Sequence, residues 1–135
     1  SDLLETVKEL SNRTSRRGLV VLISDFMDCG DVDEAAKFLR YGGYDAFAAH
    51  VFSSFEENPA VTGEFVLIDN ESGEKLSASI DDELLADYGK VFREFVDRLI
   101  RTFRKYNQTL VPCPVSLPFE GAVTEVLSKG FFVAR

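Results

Sequence analysis

Between Gly18 and Asp25 the chain carries Leu19-Val20-Val21-Leu22-Ile23-Ser24, a continuous apolar and partly β-branched run. A run this short is below helical length, and it lacks the apolar-polar alternation of a half-exposed strand. It predicts a strand of a parallel sheet, covered on both faces and the most buried in the molecule. The next residues suit a crossover from such a strand. Asp31 and Glu34 have the spacing of a capping box, Ala35, Ala36, Phe38 and Leu39 supply an apolar helix face, and Gly42-Gly43 end it. Residues 44–52 form a second buried strand. Strand, helix, glycine and strand make a βαβ unit, and hence a parallel pair.

The rest of the chain extends this pattern. Leu3, Leu4, Val7 and Leu10 predict an opening helix that ends in the polar stretch before Gly18. Residues 55–63, with Pro59 and Gly63, read as a loop. Two short strands, 64–69 and 75–80, flank a polar turn and read as a hairpin. Asp81 is the expected cap of the strongest helix, in which Leu84, Tyr88, Val91, Phe92, Phe95, Leu99, Phe103 and Tyr106 recur every three or four residues until about Asn107. Thr109 to Cys113 is a last strand, which Pro112 confines to an edge or exit position. A closing helix starts at Pro118 and stops at Gly130. The class is α/β: three layers, a mostly parallel sheet with flanking helices, and an appended β-hairpin.

Composition bounds the function. The 135 residues suit one domain, and 15 basic against 23 acidic residues give a net charge of −8 and a pI near 4.6. Nucleic-acid binders usually show the opposite balance, so none is expected as a partner. No apolar run approaches the roughly 20 residues that cross a bilayer, so this segment is expected to make no membrane contact. Cys29 and Cys113 fit reduced thiols of a cytoplasmic protein, and with His50 as the sole histidine no common Cys/His zinc site can be assembled.

Chemistry is expected at the carboxyl ends of the strands, where open parallel sheets bind ligands. Asp25 sits at that rim, with Asp28, Asp31 and Asp33 behind it. Oxygen ligands suit a hard cation such as Mg²⁺, so Asp25 and, more weakly, Asp28 are metal candidates; acids that open a helix also stabilise its dipole without any metal. Aspartyl phosphotransfer by Asp25 lacks the second Asp two residues on, because position 27 is Met. His50, among Ala48, Ala49 and Val51, reads as a core or rim residue, and a Cys29–His50 dyad is conceivable without being demanded by spacing. Lys90, Arg93, Arg98, Arg101, Arg104 and Lys105, interleaved with Glu94 and Asp97, read as a solvated helix face that could also meet an acidic partner.

The run from Arg16 to Phe26 resembles the fourth strand of a von Willebrand factor A (vWA) domain. More narrowly, Tyr44–Phe52, Asp69–Leu76 and Leu117–Glu120 come in the order seen in the C-terminal half of the bacterial vWA-like family called domain of unknown function fifty-eight. The resemblance implies a partial vWA or Rossmann-like fold and a non-catalytic adaptor or scaffold. It further implies a MoxR-type AAA+ ATPase as partner and a membrane-anchored parent. Asp25 maps onto a metal-site position of that family, but no Asp-x-Ser-x-Ser occurs in the chain. The expectation is therefore a C-terminal piece holding one residue of an incomplete metal-ion-dependent adhesion site, without a cofactor of its own; Mg²⁺ would belong to the full-length parent. The interaction candidates are Asp31 and Asp33 in the rim loop, and Asn70, Glu71 and Glu74 in the hairpin loop. In such a piece strand 19–24 would be an unpaired edge, open to self-association. The alternative is a small metal-dependent α/β hydrolase or phosphatase-like enzyme using Asp25.

Overall fold

The computed structural model describes residues 2–14, 16–59, 62–68 and 75–128. Helix α1 (Leu3–Arg13) leads to strand β1 (Leu19–Ser24), helix α2 (Val32–Tyr41) and strand β2 (Asp45–Phe52). A short helix α3 (Ser54–Glu57) precedes the hairpin β3 (Gly63–Ile68) and β4 (Lys75–Ile80). Helix α4 (Asp82–Lys105), strand β5 (Thr109–Pro114) and helix α5 (Phe119–Ser128) complete the order. The class is α/β: β1-β2-β5 form a parallel sheet flanked by helices, and β3-β4 form a small antiparallel sheet.

Helix α2 ends because Gly43, at φ +80°, can take the left-handed conformation. Tyr44 N–H then reaches Leu39 C=O at 2.9 Å and Gly43 N–H reaches Arg40 C=O at 3.1 Å, the paired bonds of a Schellman motif. Helix α4 closes in the same way. Asn107 has φ 55°, Gln108 N–H bonds to Phe103 C=O, and Asn107 N–H bonds to Arg104 C=O. Each closure turns the chain directly into a strand of the parallel sheet.

The register sets Leu19 beside Asp45 and Phe47 beside Thr109, so even-numbered side chains of all three strands share one face. On that face Val20, Ala46, Tyr44 and Leu39 pack with Val7 of α1, while Ala48, Leu110, Phe26, Leu99 and Phe103 form a second cluster with Ala36 of α2. On the odd face Phe47 and Val111 are buried, and α5 contacts β5.

At β1 the odd face is open. Leu19, Val21 and Ile23 are 52%, 49% and 72% exposed, and only Val20 of the strand is buried. This overturns the expectation of a strand covered on both faces. The apolar run reports a strand but not how many neighbours it has, and among the described residues β1 pairs with β2 alone. Strand β5 lies at the opposite edge, as Pro112 predicts. Val115 N–H bonds to Phe52 C=O, so odd-numbered residues of this stretch turn their backbone toward β2. Pro112 and Pro114 therefore face outward, where no N–H is needed.

The expected loop 55–63 begins instead with α3. Ser53 and Glu56 form a reciprocal capping box, the Ser53 hydroxyl accepting from Glu56 N–H and the Glu56 carboxylate accepting from Ser53 N–H at 2.6 Å. The predicted hairpin turn and the stop at Gly130 lie outside the described residues.

Candidate functional site

The carboxyl end of β1 opens onto the loop from Asp25 to Asp31. Phe26, at φ 56°, is a bulky residue held in the left-handed region, a conformation that persists only where its surroundings enforce it. They do so here. The Phe26 ring is 2% exposed and meets Phe103 edge-on at 5.9 Å, and its N–H donates to Ser24 Oγ at 3.0 Å. The reversal at Phe26 turns the chain back toward α2 and places the rim acids.

Those acids have separate tasks. Asp25 Oδ1 accepts the Met27 N–H at 3.1 Å, closing a turn over its own backbone. Asp31 caps α2 by accepting Glu34 N–H at 3.1 Å. Asp33 reaches across to α4, accepting Tyr106 Oη–H at 2.8 Å and pairing with Lys105 Nζ at 3.0 Å. The Tyr106 hydroxyl first, and then Lys105, hold the Asp33 carboxyl below the ordinary carboxylate range. Asp28 is exposed and has no such tether among the described bonds. Asp33 thus ties α2 to the end of α4, and its partners lie too far along the chain for spacing to reveal them. Asn70, Glu71 and Glu74 lie outside the described residues.

Among the described residues no three His, Cys, Asp or Glu side chains gather into a group that could hold a divalent cation. Oxygen ligands must converge on a point, whereas Asp25, Asp31 and Asp33 each turn to a different protein donor.

Between the rim loop and α4 lies an open cavity of roughly 500 Å³, bordered by Met27, Asp28, Cys29, Asp33, Arg98 and Thr102. Arg98 is its basic group, and the Arg98 guanidinium also sits 5.7 Å from the Phe95 ring centre. A second, more apolar recess of about 340 Å³ continues along α4 past Tyr88, Val91 and Phe92.

His50 lies behind this rim, opposite Ser24 in the sheet register and 1% exposed. Phe26, Phe52, Phe92 and Phe95 surround its ring. Burial pushes its pKa below the ordinary value, while the Asp25 backbone carbonyl and the charges of Asp25 and Glu56 pull it partly back. Its Nδ1 has no hydrogen-bond partner among the described residues. Cys29 Sγ is 3.5 Å from Ser24 Oγ, and among the described residues no hydrogen bond joins Cys29 to His50 Nδ1. Sequence reasoning also missed Gln108, buried between α4 and β5, whose amide donates to Ala36 C=O at 3.0 Å.

No helix among the described residues is long and apolar enough to cross a membrane. Compared with known families, residues 1–95 match the one described as Protein of unknown function DUF58. No curated protein and no solved structure matches the chain.

Proposed function

The chain belongs to the DUF58 family, and on that premise we propose that it is a protein-interaction module without catalysis of its own, an adaptor or scaffold for an AAA+ ATPase of the MoxR type. The observation that carries this reading is the open edge of β1. Three apolar side chains stand exposed there, and among the described residues no strand pairs with the outer side of β1, the arrangement by which sheets take up a strand from another chain. Three of the rim acids support it, since the carboxylates of Asp25, Asp31 and Asp33 serve a turn, a cap and a tie. The choice of ATPase rests on the likeness of residues 16–26 and 44–52 to a vWA-like domain; that likeness also supports a cytoplasmic location with a membrane-anchored parent.

The test is capture of a purified MoxR-type ATPase by the immobilised chain, repeated with Val21→Lys and Ile23→Lys. Both substitutions lie on the exposed face of β1, so circular dichroism should report an unchanged fold. Retention by the native sequence and its loss in both variants are expected. Equal retention by all three, or no retention at all, would overturn the reading. So would Mg²⁺-dependent hydrolysis of a phosphoester that disappears in Asp25→Asn.

A further inference from the structure

The two recesses beside α4 share Met27, Phe95 and Arg98, so they form one groove between the rim loop and the helix. It follows α4 from Thr102 back to Tyr88, a length of about 21 Å at the helical rise per residue. That length suits an elongated stretch of chain, about six residues extended or four turns of helix, rather than a compact small molecule. Phe26, Phe92 and Leu99 are buried beneath it. Met27 of the loop and Val91 of the helix border it and stand 55% and 63% exposed. An apolar side chain seated between them would take both out of water.

Charge is distributed unevenly along the groove. At the Thr102 end it is bordered by Asp28, Asp31 and Asp33. Lys105 compensates Asp33, whereas among the described residues no cation pairs with Asp28 or Asp31. At the midpoint Glu94 and Arg98 lie one helical turn apart and offset each other. Toward the other end the lining of Tyr88, Val91 and Phe92 is uncharged.

We propose that this groove docks a peptide segment of a partner protein that presents apolar side chains and a cationic side chain on one face. The apolar side chains sit between Met27 and Val91, and the cation sits at Asp28 and Asp31. Arg98 repels a cation at the midpoint, so the segment lies in one direction only. Apolar anchoring supplies the affinity, and the two carboxylates set the orientation. An acidic segment meets those same carboxylates and is refused. The net charge of −8 draws the cationic segment in. No residue of β1 borders the groove, so this is a second surface beside the one that carries the adaptor reading.

The test is fluorescence anisotropy with a labelled amphipathic peptide of leucine and lysine, alongside leucine–glutamate and serine–lysine counterparts. The native chain should bind the first and neither of the others. Asp28→Lys should weaken binding of the leucine–lysine peptide about tenfold and strengthen that of the leucine–glutamate peptide. Val91→Lys, at an exposed position, should also weaken the first peptide, and circular dichroism should report an unchanged fold in both variants. Asp97→Lys changes the net charge equally at an exposed site that does not border the groove, and it should bind as the native chain does. So should Ile23→Lys on β1, which separates this surface from the strand edge. No binding by the native chain, equal binding of the serine–lysine peptide, or an equal loss in Asp97→Lys and Asp28→Lys would overturn the proposal.

Discussion

His50 concentrates the electrostatics of this molecule at one residue. An imidazole enclosed by four phenyl rings, with one nitrogen unpartnered among the described residues, favours its neutral form. The unfolded chain takes up a proton near the ordinary value of 6.5, whereas the folded chain takes it up only at lower pH. Stability should therefore be full above about pH 6.5 and fall as the pH drops through that value toward the folded one. Denaturant titrations across this range should show the slope in the native protein and a flatter profile in His50→Phe. Asp33 acts in a separate window: its lowered pKa contributes stability that is lost only as the pH falls through 3.8 and below. Neither behaviour is legible in the sequence. An isolated histidine among alanines marks a core or rim position, but the enclosing Phe92 and Phe95 come from a helix some forty residues on. The rim acids show the same limit. Asp31 is readable as a cap because its partner is three residues away, while the Asp33 tie to Lys105 and Tyr106 exists only after folding.

At the scale of elements, local rules hold where the signal is local. Asp81 caps α4 by accepting Leu84 N–H at 2.8 Å, Gly43 closes α2, and Pro112 sits at an edge. Helix α3 is equally local: Ser53 and Glu56 have the same spacing as Asp31 and Glu34, and the polar, proline-bearing context obscures it. The neighbours of β1 are not readable, because an apolar run records a preference for burial and not its supply. Two substitutions separate cap from core. Asp31→Ala should cost about 1 kcal/mol through the orphaned N–H at the start of α2. Phe103→Ala should cost about 3–5 kcal/mol, since this fully buried ring supports Phe26 and packs with Ala36, Leu99 and Leu110 at the junction of α2, α4 and the sheet. Chemical denaturation of the two variants checks both values.

Across the whole molecule, stability should grade outward from β2, the central strand. In dilute solution the amides of β2 should exchange with deuterium slowest, and the outward amides of Leu19, Val21 and Ile23 fastest within the parallel sheet. Uniform exchange along β1 would contradict the open edge. The parallel order β1-β2-β5 has another consequence, kinetic in kind. Leu19 must find Asp45, and Phe47 must find Thr109, so no tight turn can begin this sheet. Its first lasting contacts have to enclose α2, and docking β5 on β2 closes a loop that holds the hairpin and all of α4. Loop-closure entropy then falls early in refolding and its reward arrives late, which places the chain among slowly folding topologies.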